Sequence, residues 1–230
     1  MYKILVSDKL GEAGLERLTE AQDIEFQMTL NLSHDKLIEA ISDVDAIIVR
    51  SGTKVDADVL VAGRNLKVVG RAGIGIDNID VQAATSRGVI VMNTPQANAV
   101  ATAEHAMAMM LAVARHIAPA HASVKAGQWR RSDFVGQQLY RKVLGIIGFG
   151  RIGRLVATRA QAFGMEILAY DPFVSEDVAR ELGVTLVELD DLLSEANYIS
   201  LHTVTSPDTR HMINQETLAQ MKDGVIIVNC

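Results

Sequence analysis

Short apolar runs alternate with amphipathic stretches from one end of this chain to the other. Lys3–Val6, Ile24–Gln27, Ala46–Val49, Leu66–Val69 and Val89–Met92 are brief and rich in β-branched residues. Turn residues bound them, the pattern of strands buried on both faces. Between them, Gly11–Leu18, Asp35–Ile41, Asp56–Ala62 and Val81–Ser86 repeat apolar residues at helical spacing. Leu15 and Leu18 face inward in the first helix, and Leu37, Ile38 and Ile41 in the second, which Ser33 caps. A second series follows Arg141. Its strands are Val143–Ile147, Met165–Tyr170, Tyr198–Leu201 and Val225–Val228. Its helices start after Gly150, at the cap Ser175 (running to Leu182), at Asp190 (to Leu193) and at the cap Asn214 (to Met221). The helix after Gly150 turns Ile152, Leu155, Val156, Ala160 and Phe163 to one side, and Gly164 stops it. Such βαβα order predicts parallel sheets with helices on both faces.

The two series meet at Pro95, which breaks a strand. A long helix is predicted over Ala99–Lys125, kinked or ended by Pro119. Its stripe of Val100, Ala103, Met107, Met110, Leu111 and Ala114 reads as core. The first 95 residues and the region after Arg141 are therefore two separate α/β runs, with this segment as the join between domains.

Composition acts mainly by exclusion. A net charge of −6 over 230 residues argues against nucleic acid as a partner. The one cysteine, Cys230, allows no internal disulfide and favours a reducing, cytoplasmic setting. The first residues lack the apolar core and cleavage site of a signal peptide. The longest apolar run, Ala106–Ala114, is too short for a bilayer, so no membrane is expected. No histidine pair has metal-ligand spacing on a helix and no Cys/His cluster exists, so no metal is expected. No Gly-x-Ser-x-Gly elbow offers a serine nucleophile.

The chemistry gathers at strand ends. Gly148, Gly150 and Gly153 form G-x-G-x-x-G between a strand and a helix. The first allows a tight turn, the second lets backbone approach a pyrophosphate, and the third lets helix and strand pack closely. The helix N-terminus offers its free N–H groups to that anion. Asp171 closes the next strand, where a carboxylate accepts the ribose hydroxyls of NAD. Ligands of open α/β sheets collect at the carboxyl ends of strands. That rule selects Arg50, the Gly73–Gly75 loop, Asp171, Thr203 and Cys230 with the glycine triplet, facing one another if a cleft separates the two sheets. The Gly73–Gly75 loop reads as a small anion nest, as half of a second nucleotide site, or as a plain turn. Arg50 and Arg71 hold a carboxylate or phosphate, or are surface cations in ion pairs. His202 is the only histidine at a predicted strand's carboxyl end, and it reads as structural.

With these residues assembled, the chain resembles the NAD-dependent D-2-hydroxyacid dehydrogenases over its whole length. The resemblance rests on Val49-Arg50-Ser51 with Thr53-Lys54-Val55, on Val69 through Asn78, and on Val91 through Pro95 with Asn98. It continues in Ala103-Glu104, Gly127-x-Trp129, Gly145 through Gly153, Tyr170-Asp171-Pro172 and Val228-Asn229-Cys230. Several stretches are those of the branch that oxidises phosphoglycerate. It implies two Rossmann-like doubly wound domains: a flavodoxin-like substrate domain over 1–94, and an NAD domain over 95–230, incomplete at its C-terminus. NAD is the implied cofactor. Arg151 and Ile152 are implied to contact its pyrophosphate, Asp171 its adenosine ribose, and Thr203 and Cys230 its nicotinamide side. Ile74 and Gly75 would present N–H groups to the substrate carboxylate, with Arg50 and Asn98 lining the pocket. Arg131 would reach a neighbouring subunit's site in a homodimer or tetramer joined through the NAD domain. The implied reaction is oxidation of a small anionic substrate, 3-phosphoglycerate, to 3-phosphohydroxypyruvate, which opens serine biosynthesis. Glyoxylate or hydroxypyruvate reduction, or an NAD-sensing corepressor-like role, are the alternatives. Val204-Thr205 departs from the family's Pro-Leu after the His-Thr pair. The family's catalytic arginine, glutamate and histidine fall beyond Cys230. The chain is thus expected to be part of an enzyme, binding NAD without turning substrate over.

Overall fold

In the computed structural model, which describes residues 1–230, the first series of apolar runs forms five strands. They are β1 (Tyr2–Val6), β2 (Ile24–Met28), β3 (Ala46–Val49), β4 (Val68–Arg71) and β5 (Ile90–Asn93). All pair in parallel, in the order β2-β1-β3-β4-β5. The helices between them are α1 (Glu12–Glu20), α2 (His34–Ile41), α3 (Ala57–Ala62) and α4 (Val81–Ser86). The second series gives β6 (Val143–Ile147), β7 (Glu166–Tyr170), β8 (Thr185–Leu186), β9 (Tyr198–Leu201) and β10 (Ile226–Asn229). These also pair in parallel, in the order β10-β9-β6-β7-β8. Its helices are α5 (Ala99–Ala114), α6 (Ile117–Lys125), α7 (Arg151–Ala162), α8 (Glu176–Glu181), α9 (Leu189–Glu195) and α10 (Gln215–Gln220). The chain separates into two units, Met1–Asn98 and Ala99–Cys230.

Each unit has its own core. In the first, Leu5, Ile47, Val49 and Val69 of the sheet pack with Leu37, Ile41, Val59 and Leu60 of α2 and α3. In the second, the strand period of two sends β6 side chains to both faces. Leu144 and Ile146 join Met107, Met110, Val156 and Ala160 of α5 and α7, while Ile147 joins Leu192 and Leu193 of α9. Gly145 lies beneath α9, where a Cβ would come 2.8 Å from Leu192 Cγ.

Several expectations are corrected. The fourth strand starts at Val68, not Leu66. Leu66 is spent on a turn, its N–H donating to the Gly63 carbonyl, and the register pairs Ala46 with Val68. The Ala99–Lys125 helix is two helices. The break falls at His116, whose φ of 51° is left-handed, rather than at Pro119. Pro119 then sits in the first turn of α6, where a missing N–H has no helical partner to lose. Phe163 is 45% exposed rather than inward, since α7 ends before it. Leu15 and Leu18 are only half-buried, and α1 buries no residue completely. Ser33 and Ser175 occupy N-cap positions, but neither side chain makes the capping bond. Asn214 does, in a reciprocal capping box with Thr217. Strand β8 is too short for periodicity to reveal.

Candidate functional site

In the second unit the register aligns strand ends. Ile147 pairs with Tyr170 and Leu201, and Leu201 with Asn229. Gly148, Asp171, His202 and Cys230 therefore each stand one step beyond the same row. The strand order reverses between β6 and β9, the switch point at which open α/β sheets bind ligands. There the three glycines differ in what requires them. Gly148 has φ of 91°, and a Cβ would come 2.7 Å from the His202 carbonyl carbon and 2.8 Å from the Thr203 nitrogen. At Gly153 a Cβ would overlap the Gly148 carbonyl oxygen. Gly150 is exposed, with nothing within 4 Å of a Cβ. The protein itself demands the first and third, and nothing within the protein demands the second. Helix α7 begins directly after Gly150 and no side chain caps it. Its first N–H groups and its positive dipole end are thus left for an anion.

Asp171 completes the set. One carboxylate oxygen accepts the Phe149 N–H at 2.8 Å and the other the Phe173 N–H at 2.9 Å. Each oxygen keeps a lone pair for ribose hydroxyls. These residues fit NAD. Arg151 is exposed and Ile152 half-buried at the helix start, while Thr203 and Cys230 are exposed at the adjoining strand ends. Partial desolvation at the strand end raises the thiol of this largely exposed Cys230 above its ordinary range, so it is protonated at neutral pH. His202 Nε2 lies 2.8 Å from the hydroxyl oxygen of fully buried Ser200. Burial lowers the His202 pKa to about 4, leaving a neutral ring with no carboxylate to raise its basicity.

The first unit reverses its strand order between β1 and β3. Asp8, beyond β1, accepts the Arg50 N–H at 2.6 Å and the Thr53 N–H at 3.1 Å. Asn78 Nδ2 donates to the Arg50 carbonyl at 2.7 Å and the Thr53 carbonyl at 2.6 Å. The loop is held from both sides, yet the exposed Arg50 guanidinium meets only the Lys9 carbonyl, at 3.4 Å. Arg71 ends β4; its Nε is buried without a partner, and the guanidinium lies over Gly73. Neither arginine is in an ion pair. The Gly73 carbonyl accepts the Thr94 N–H at 3.0 Å, and the Ile74 carbonyl accepts Asn93 Nδ2 at 2.7 Å. No peptide is cis, so the Ile74 and Gly75 N–H groups point the opposite way from those carbonyls. No helix opens at Gly75, since α4 begins at Val81, which removes the support a second nucleotide site would need.

Asn98 is exposed in the loop before α5, and Arg131 is exposed on a 3₁₀ turn, Arg131–Phe134, of the second unit. Neither side chain makes a hydrogen bond or ion pair within the chain. Helical spacing showed no metal ligands, but α2 and α3 bring His34, Asp56 and Asp58 atoms within 4.8 Å of one another. There His34 Nε2 sits 3.1 Å from Asp56, and Lys54 Nζ 3.9 Å from it, so that carboxylate is already compensated.

Sequence reasoning passed over Asp8, Asn93, Thr94 and Arg154. Asp8 stood two steps past a predicted strand, and the strand-end rule could have selected it. The others act through register and through hydrogen bonds to backbone carbonyls, which leave no spacing signal.

Residues 107–230 match the family described as D-isomer specific 2-hydroxyacid dehydrogenase, NAD binding domain. The chain is 48% identical over 230 residues to a D-3-phosphoglycerate dehydrogenase of Synechocystis sp., covering all of this chain (100%) and 41% of that protein. It is 50% identical over 228 residues to a hydroxypyruvate reductase of Thermotoga maritima, covering 99% of this chain and 73% of that protein. Among solved structures it is similar to a D-lactate dehydrogenase from Aquifex aeolicus complexed with NAD and lactic acid. That likeness has a TM-score of 0.88 at 31% identity and covers 99% of this chain and 68% of the other. The chain thus spans less than half of the phosphoglycerate dehydrogenase it matches.

Proposed function

The chain belongs to the D-isomer specific 2-hydroxyacid dehydrogenase family, and from that premise we propose that its protein oxidises 3-phosphoglycerate with NAD. The observation that carries the substrate is the pair of arginines in the first unit. Arg50 and Arg71 lie at the ends of neighbouring strands with no carboxylate partner, and the Ile74 and Gly75 N–H groups have none among backbone oxygens. Two unpaired guanidinium groups and two peptide N–H groups suit a substrate bearing both a carboxylate and a phosphate. NAD, when bound, supplies the acceptor for the hydride leaving the substrate's C2. The chain's own part is to hold and orient. The Gly150 turn and the start of α7 bind pyrophosphate, Asp171 the ribose, and Arg50, Asn98 and the Ile74–Gly75 peptides the substrate's anionic groups. Asp171 repels the 2′-phosphate of NADP, and no arginine follows in Pro172-Phe173 to receive one.

Hydroxypyruvate reduction is the second reading, favoured by the Thermotoga relative, of which the chain covers 73%. Steady-state kinetics of the protein with 3-phosphoglycerate and with hydroxypyruvate separate the two. A higher kcat/KM for hydroxypyruvate would overturn the first. Arg50→Ala is expected to raise KM for 3-phosphoglycerate about tenfold or more, as loss of a charged hydrogen-bonding partner does. NAD affinity should stay the same. An unchanged KM would return Arg50 to an ordinary surface cation. A cytoplasmic homodimer or tetramer accords with this reading. Trp129, Val135 and Tyr140, 82%, 77% and 50% exposed in the second unit, supply apolar surface for it. Light scattering that returned a monomer would count against it.

A further inference from the structure

Phe149, the residue between the first two glycines, is fully buried and is gripped on both sides of its backbone. Its N–H donates to Asp171 at 2.8 Å. Its carbonyl accepts a hydrogen bond from Arg154 Nε at 3.0 Å, while the Arg154 guanidinium stands 5.8 Å from the Phe149 ring centroid. Arg154 belongs to α7, makes no ion pair, and is half-buried against this loop. An arginine with no carboxylate, aimed at a peptide carbonyl, needs a reason.

The reason is geometric. In a trans peptide the carbonyl and the following N–H point in opposite directions. Arg154 pulls the Phe149 carbonyl toward α7, so the Gly150 N–H is turned away from the helix. That N–H meets no backbone acceptor, and the side that Gly150 leaves open has nothing within 4 Å of a Cβ. We infer that Arg154 is a positioning residue of the dinucleotide loop: by holding the Phe149 carbonyl it fixes the Gly150 N–H toward the pyrophosphate. Asp171 locks the same residue from the other side. Asp171 and Arg154 thus share one residue as their link, holding the two peptide units that flank Phe149. This inference rests on NAD occupying the Gly148–Gly153 loop.

The test uses two substitutions of nearly equal length in this chain. In Arg154→Gln the side-chain amide nitrogen falls at the same reach as Arg Nε, keeping the donor and losing the charge. In Arg154→Met the donor is lost as well. NADH and ADP-ribose affinities are measured by fluorescence titration and calorimetry, with adenosine as the phosphate-free probe. Ligand-free melting is followed in parallel. Arg154→Met is expected to weaken NADH and ADP-ribose alike by about tenfold, the scale of losing one aligned hydrogen bond in a preorganised cradle. Adenosine binding should not change, and Arg154→Gln should stay within about threefold of the wild type. Equal losses in Gln and Met would mean that the charge acts on phosphate directly and would overturn the positioning role. Equal losses for adenosine would reduce Arg154 to general structure and overturn it too. A wild-type chain that bound no NADH would bring down the cofactor reading first, and this inference with it.

Discussion

Asp171 supports the loop through both carboxylate oxygens, and the cofactor choice proposed for it would draw on the same group. Asp171→Ala should therefore do two things at once. It should narrow the NAD over NADP preference by weakening NAD more, and lower stability by about 1–3 kcal/mol as two amides lose their acceptor. Calorimetric titration with both cofactors checks the first and urea unfolding the second. NADP binding the wild type as tightly as NAD would refute the role given to Asp171. His202 sets a pH dependence. Its pKa falls from 6.5 when exposed to about 4 in the fold, so the unfolded chain takes up a proton that the folded chain refuses. Its neutral state is fully compatible with the fold above pH 6.5, and stability declines as pH falls from there toward 4. The shift corresponds to about 3 kcal/mol at most. Unfolding curves between pH 7 and pH 4.5 should show this slope, and His202→Gln should flatten it. A slope that survives the substitution belongs to other groups.

At the level of elements, the β6–α7 turn separates two glycines that the fold requires from one that it does not. Gly148→Ala forces a side chain into left-handed backbone and onto the His202 carbonyl, and Gly153→Ala presses α7 off the Gly148 carbonyl. Each should lower stability by roughly 1–3 kcal/mol, the cost of overpacking. Gly150→Ala meets no atom within 4 Å, so melting should be unchanged while NADH affinity collapses. Melting of the three variants beside NADH titration decides it. A Gly150→Ala chain that binds NADH normally would leave the pyrophosphate placed elsewhere. The capping serines teach a related point. Ser33 and Ser175 have the right residue type and extended backbone but make no capping bond, whereas Asn214 bonds two amides. Ser33→Ala should accordingly cost little, and Asn214→Ala about 1 kcal/mol.

The whole molecule is two units, each with its own buried core and its own parallel sheet. All the residues assigned to NAD lie in the second, from Gly148 to Cys230. Residues 99–230 expressed alone should therefore fold and bind NADH within severalfold of the affinity of residues 1–230. Circular dichroism and the same titration measure this. A folded second unit with no affinity would show that the first supplies part of the cofactor site.

The sequence by itself determined the two α/β series, the glycine triplet between β6 and α7, and Asp171 at the end of β7. Their signals are local: apolar period, turn glycines, and one acid at a strand end. Register and long-range hydrogen bonding decided the rest. Leu66 carries strand propensity yet turns, because β4 takes its register from β3 two residues later. The long helix breaks at His116, in left-handed backbone, where the sequence marks only the proline three residues on. Asn93 and Thr94 aim the Gly73–Gly75 loop and Asp8 anchors Arg50, each across a gap no periodicity spans, while Arg154 reaches back only five residues, to a carbonyl that its spacing does not single out. A side chain that bonds to a distant backbone carbonyl leaves no pattern in its own neighbourhood. Such positions became legible only when the sheets set strand beside strand.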